Sequence, residues 1–239
     1  MVAQFNSQAD FRPVQALLER LGLPFKHLEL FVRALTHSSF VNENAAPIED
    51  NERLEFLGDA VLDLVVGTYV YEHFPEMKEG DLTRMRSGFV RTEQLADFAR
   101  QIELGPALRL GRGELASGGY NRDSLLCDAF EAFNGALYLD SGFHTAEEFI
   151  LPFIDATCEK VLSLPGLMDA KTRLQEYAQA EQLGAPIYLV VDRSGPEHAR
   201  IFEVVVRIAA QEMGRGKGSR KANAEQAAAQ AALVWLGLD

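Results

Sequence analysis

Residues 51–65, NERLEFLGDAVLDLV, set apolar side chains at Leu54, Leu57, Val61, Leu62 and Val65, the three-and-four spacing of a helix with one buried face. The same stretch carries Glu52, Glu55 and Asp59 at equally helical spacings. At about 100° per residue these acids fall within about 60° of one another around the axis. Any fold that accepts the helix must bury one side and accommodate a row of like charges on another. Each exposed like-charged pair costs roughly a few tenths of a kcal/mol. A solvated face with Arg53 and other cations nearby is one solution, and a bound cation is the other.

A second segment bears on the choice. Asp128 and Glu131 repeat the three-residue spacing inside DAFEAFNGALYLD, a stretch so apolar that its acids must be partly sheltered. Sheltered carboxylates are costly unless a positive charge compensates them. Two helices packed with these faces together would gather four or five carboxylates around one small volume. Oxygen ligands without His or Cys suit Mg²⁺ or Mn²⁺ rather than Zn²⁺. Such an ion can polarise a phosphoryl oxygen and lower the pKa of a bound water. Asp63 lies near the acidic face but about 16 Å along the axis from Glu52, by the rise of 1.5 Å per residue, and reads as structural. His37, in LTHSS, reads as a hydrogen-bonded residue near a helix end. No Ser-His-Asp or Cys-His arrangement suggests nucleophilic catalysis by a side chain.

The chain of 239 residues suggests one main domain and a smaller one. Its net charge of −12 argues against a polyanionic partner, yet residues 165–239 carry nine acidic and nine basic side chains, so all of the excess belongs to the first part. The first 160 residues read as helices punctuated by Gly and Pro, with no convincing alternation of the kind strands show. SLPGLMDA, residues 163–170, reads as a linker. Beyond it come a helix (KTRLQEYAQAEQLG), two strand-like runs (PIYLVVDRS and RIFEVVVRIA), a basic glycine-containing loop (RGKGSRK) and an alanine-rich helix (AEQAAAQAALVWL). There is no basic start followed by an apolar run and no long apolar segment, so a soluble protein without signal peptide or membrane span is expected. Cys127 and Cys158 suggest neither a disulfide framework nor a zinc site, which fits a cytoplasmic location.

NERLEFLGDAVL resembles the signature of the ribonuclease III family of double-stranded RNA endonucleases. The likeness continues through EGDLTRMRS (79–87), GELASGG (113–119), DAFEAFNGALYLDSG (128–142) and the C-terminal region. It implies an all-α catalytic domain over residues 1–162, a linker over 163–170, and an α-β-β-β-α double-stranded RNA-binding fold over 171–239. It implies further that Glu55, Asp59, Asp128 and Glu131 hold Mg²⁺, with Mn²⁺ able to substitute. Asp59 and Glu131 would be tied most closely to the chemistry, and Glu52, Glu79 and Glu114 would be additional acids of the cleft. Phe56 is similar to the aromatic that family members insert into a pocket of the partner subunit of a homodimer.

In the smaller domain, the resemblance assigns Gln175 and Glu176 to an exposed helix face that touches a minor groove. It places His198 in a loop entering the next minor groove, and Arg215, Lys217, Arg220 and Lys221 at the start of the last helix, facing phosphates. One detail departs from the family pattern. Ala222-Asn223 separate Lys221 from Ala224-Glu225-Gln226, so that either the helix has an extra residue or one phosphate contact is missing. The implied activity is hydrolysis of both strands of duplex RNA to 5′-phosphate and 3′-hydroxyl ends with short 3′ overhangs, in processing of ribosomal and other structured RNA precursors. No membrane or small-molecule cofactor is implied. A double-stranded RNA-binding protein that does not cut is the alternative.

Overall fold

The structure, a computed structural model, describes residues 11–44, 49–162, 170–196 and 200–238. His198 and residues 163–169 of the expected linker lie outside the described residues. The chain divides into two units, residues 1–162 and 163–239.

Helices build the first unit: α1 (Arg12–Leu21), α2 (Leu28–Ala34), α3 (Ser38–Glu43), α4 (Glu52–His73), α5 (Glu79–Val90), α6 (Thr92–Gln101), α7 (Arg112–Ala116), α8 (Asp123–Ser141) and α9 (Phe143–Leu162). Local chemistry sets several of their ends. Pro13 stands in the first turn of α1, where its missing N–H is no loss, and Gly22 closes that helix in the left-handed conformation. The carboxylate of buried Asp140 accepts the backbone N–H groups of Lys26, at 2.9 and 3.1 Å, and His27, at 2.7 Å, and so ties the start of α2 to the end of α8. Phe98, Phe130, Phe133, Phe149 and Phe153, from α6, α8 and α9, pack with ring centroids 5.2–6.2 Å apart.

The contact that positions the acids is the crossing of α4 and α8. A Cβ at Gly58 would lie 1.7 Å from the carbonyl oxygen of Glu131, and one at Gly135 would lie 2.3 Å from that of Leu54. Each glycine is therefore required by the backbone of the other helix. Gly58 sits between Glu55 and Asp59 in sequence, and Gly135 follows Glu131 by one turn. The closest approach of the two helices thus falls at the level of the carboxylates.

The second unit is α10 (Ala170–Ala180), β1 (Ile187–Ser194), β2 (Ile201–Ile208), β3 (Gln211–Gly218) and α11 (Lys221–Trp235). The strands form one antiparallel sheet in the order β1-β2-β3. Strand β3 corrects the reading of RGKGSRK as a loop. Gly214, Gly216 and Gly218 lower its strand propensity, but they alternate, and so share one face. On that face α11 lies against the strand: a Cβ at Gly214 would meet Ala228 O at 2.4 Å, and one at Gly216 would meet Ala228 N at 2.2 Å. Ala224, Ala228 and Ala232, one helical turn apart, are fully buried and complete a core of small residues with Leu174, Val204, Val206 and Leu233. The β2–β3 hairpin turns through Ala209 and Ala210, at φ 48° and 67°, with neither Asn nor Gly to announce it.

Candidate metal centre and RNA-binding surface

Helix α4 supplies Glu55 and Asp59 and helix α8 supplies Asp128 and Glu131, across the glycine crossing. The carboxylates of the two helices act on one another electrostatically. Burial raises the pKa of Glu131 to about 7, and Asp59, Glu55 and Asp128 add to the rise. Glu55 is raised by burial, then by Asp128, Glu52 and Asp59. Asp128 is raised by burial, with His37 opposing. For Asp59 the causes are burial and then Asp63, opposed by Arg86. Each carboxylate is thus less readily ionised than in water, because the fold desolvates it and, for most, adds neighbouring negative charge. A cation reverses both effects. The residues present fit a hard divalent ion, since the four converging groups offer carboxylate oxygens only. Among the described residues, ligand atoms of Asp128, Glu131 and the neighbouring Cys127 lie within 4.8 Å of one another, a group that includes neither Glu55 nor Asp59.

The additional acids fall into two sets. Glu52 is exposed on the first turn of α4 and acts on Glu55. Glu79, exposed at the start of α5, accepts a hydrogen bond from the Thr83 hydroxyl at 3.2 Å, and Glu114, on α7, pairs with Arg122 at 2.8 Å. Among the described residues, neither of these two forms a hydrogen bond or ion pair with the four carboxylates.

Three neighbours of the cluster were not foreseen as such. His37 is the N-cap of α3, accepting the Ser39 N–H at 3.2 Å, which agrees with its reading as a helix-end residue, but it also faces Asp128. Arg86 pairs with Asp63 at 3.6 Å and lowers the pKa of Asp59, so Asp63 is tied to the site through its ion pair. The buried Cys127 thiol donates to Glu131 Oε1 at 3.5 Å, and its only sequence signal is the four-residue spacing.

Phe56 is 80% exposed, and Leu64 and Tyr71 on the same helix are also exposed. Phe56 is therefore not a core residue of its own chain.

In the second unit Gln175 and Glu176 lie on the exposed side of α10. Arg220 is the N-cap of α11 and Lys221 its first residue, 3.6 Å from Glu225. Ala222 and Asn223 occupy the first turn, so the helix starts ahead of the departure from the family spacing. Arg215 and Lys217 do not stand at the start of α11, as expected, but on β3, on the face turned away from the glycine side. There Arg215 bonds Glu203 at 3.0 Å and Glu212 at 3.2 Å, and Lys217 pairs with Glu203 at 3.3 Å. The helix N-terminus holds two of the four cations, and the other two are neutralised across strands.

A helical unit with a partly buried carboxylate cluster, followed by an α-β-β-β-α unit with cations at its last helix, defines a two-part enzyme of nucleic acid. Residues 27–157 match the family model described as Ribonuclease-III-like, and residues 170–236 match the double-stranded RNA binding motif. A protein named Ribonuclease 3 from Roseiflexus sp. (strain RS-1) is 46% identical over 231 residues, covering 94% of this chain and 96% of its own length. Another of that name from Pseudomonas fluorescens (strain SBW25) is 47% identical over 226 residues, with the same coverage of both chains. The solved nuclease domain of ribonuclease III from Campylobacter jejuni is 40% identical, with a TM-score of 0.56, covering 60% of this chain and 96% of its own. The chain belongs to the ribonuclease III family and is an endoribonuclease acting on double-stranded RNA.

Proposed function

We propose that the endoribonuclease depends on Mg²⁺, for which Mn²⁺ can substitute, and that Glu55, Asp59, Asp128 and Glu131 hold it. The observation that carries this reading is the convergence of four carboxylates across the α4–α8 crossing, with Glu131 raised to about 7. When bound, the cation supplies polarisation of a phosphoryl oxygen and activation of a water for in-line attack. The chain's own part is to hold the carboxylates in a fixed, half-dehydrated arrangement and to keep an acid near neutrality at Glu131. Asp59, modulated by Asp63 and Arg86, faces Glu131 from the other helix and is the second residue tied most closely to the chemistry. Glu52, Glu79 and Glu114 are further acids of the cleft.

The acidic first unit, residues 1–162, repels a polyanion until cations fill its cluster, and the second unit, residues 171–239, supplies affinity. Gln175, Glu176 and His198 contact the minor groove, and Arg220 and Lys221, assisted by the positive end of α11, contact phosphate. Lys217 contributes to a lesser degree, because Glu203 neutralises it. The enzyme is a homodimer in which exposed Phe56 enters the partner. The Campylobacter jejuni nuclease domain is described as having a region involved in dimer formation. A twofold axis lets each subunit's acids address one strand. The products carry 5′-phosphate and 3′-hydroxyl ends with short 3′ overhangs, and the substrates are structured RNA precursors in the cytoplasm. No described helix is long and apolar enough to cross a membrane.

Cleavage of a long RNA duplex in Mg²⁺ or in EDTA, by wild type and by Glu131→Ala, tests the reading. Cutting that needs Mg²⁺ and is lost in the variant is expected. Equal cutting in EDTA, or full cutting by the variant, would refute it.

A further inference from the structure

Cys127 is 6% exposed and lies on α8 one turn before Glu131, on the same side of the helix. Its S–H donates to Glu131 Oε1 at 3.5 Å. Among the described residues, Glu131 is the one member of the four converging carboxylates that receives a side-chain hydrogen bond. Thr92, the first residue of α6, lies near the thiol and lowers its pKa against the rise caused by burial. The thiol thus reaches one oxygen of the glutamate from the turn before it on the same helix.

We infer that Cys127 is a positioning residue for Glu131, its buried thiol fixing one carboxylate oxygen and so preselecting the side-chain rotamer that the cation pocket uses. The inference rests on the cation reading proposed above. A glutamate side chain has three rotatable bonds, and ordering them on cation binding lowers affinity. A partner that orders them during folding moves that cost out of the binding step. A thiol suits this role: it is a weak donor, so it orients the carboxylate while leaving the oxygen's remaining lone pairs available. Asp128 and Glu131 lie with Cys127 in a group spanning 4.8 Å, so a loss of order at Glu131 is felt at the pocket as a whole.

Calorimetric titration of the metal-free full chain with Mn²⁺ tests this without reference to turnover. Cys127→Ala removes the donor and is expected to weaken Mn²⁺ binding about fivefold, the equivalent of about 1 kcal/mol at roughly 1.4 kcal/mol per tenfold. Cys127→Ser keeps a donor and is expected to stay within about twofold of wild type. The Mg²⁺ concentration for half-maximal cleavage is expected to rise by the same factor in Cys127→Ala. Melting curves in EDTA establish that each variant is folded. Should Cys127→Ala not be, Cys127→Val, close to cysteine in volume, removes the donor in its place and is expected to weaken Mn²⁺ binding by the same factor. Unchanged binding by the alanine variant, or a serine variant as weak as the alanine one, would overturn the positioning role. Failure of the wild type to bind Mn²⁺ would overturn the cation reading itself, and this inference with it.

Discussion

Gly58→Ala discriminates sharply between what helix propensity predicts and what the structure predicts. In an isolated helix the change stabilises by about 1 kcal/mol, because alanine loses less backbone entropy. In α4 the new methyl would lie 1.7 Å from the carbonyl oxygen of Glu131 and 2.5 Å from its carbonyl carbon. Ordinary contact requires about 3.5 Å, so the two helices must separate by nearly 2 Å at the level of the acids. Overpacking of this kind costs typically about 1–3 kcal/mol, and against backbone the upper end applies. The net effect is destabilisation by about 1–2 kcal/mol. Because Glu55 and Asp59 flank Gly58, the separation also draws them away from Asp128 and Glu131. A displacement of about 1 Å at a reacting site can cost on the order of a hundredfold in rate. Gly67→Ala is the control, since on the same helix its methyl would find nothing nearer than the Arg86 Cδ at 4.0 Å. Urea unfolding and duplex cleavage at saturating Mg²⁺ would be measured for both. The account expects Gly58→Ala to lose stability and most of its activity, and Gly67→Ala to keep activity with equal or greater stability. A Gly58→Ala protein as stable and active as wild type would refute the tight crossing as the device that assembles the site.

Four further outcomes are expected. Since Glu131 is raised to about 7, protons compete with the cation there, and Mn²⁺ affinity measured from pH 8 to pH 6 should fall; a pH-independent affinity would contradict this. In EDTA the same shift means that the folded state holds a proton the unfolded state has released between about pH 4.5 and 7. Stability should therefore decline across that window as pH rises, by an upper limit of about 3 kcal/mol that partial exposure reduces, and Glu131→Gln should flatten the decline. Replacing Ala209-Ala210 by Asn-Gly should stabilise the second unit by about 1 kcal/mol or more, read by thermal melting, because both residues have positive φ; a lower melting temperature would contradict the turn assignment. Asp140→Ala leaves the Lys26 and His27 N–H groups without their acceptor and should cost about 2 kcal/mol in urea unfolding, whereas a neutral change would show that water replaces the carboxylate.

The acidic row of α4 was legible because helical periodicity alone fixes which side chains share a face, and the apolar setting of Asp128 and Glu131 announced their burial. That these two faces meet was legible only as a hypothesis from geometry, strengthened by the family resemblance. The device that joins them is a pair of glycines, and a glycine inside a helix carries no periodic signal. The same blindness affected β3: Gly214, Gly216 and Gly218 suggest a loop by propensity, and only the alanine face of α11 explains them. Arg215 and Lys217 were grouped with Arg220 and Lys221 by closeness in sequence, whereas strand alternation and the cross-strand Glu203 place them apart. Cys127, His37 and Arg86 became visible as neighbours of the acids only once the helices were packed. Phe56 was singled out by the family resemblance alone, and its exposure sharpens the expectation of a partner.

The central claim is that Glu55, Asp59, Asp128 and Glu131 form one cation site. Anomalous diffraction from crystals of the full chain soaked in Mn²⁺ tests it most directly. A peak about 2.0–2.6 Å from carboxylate oxygens of both α4 and α8 is expected. A peak bound by one helix alone or elsewhere on the chain, or no peak in crystals of a protein that cleaves with Mn²⁺, would contradict it.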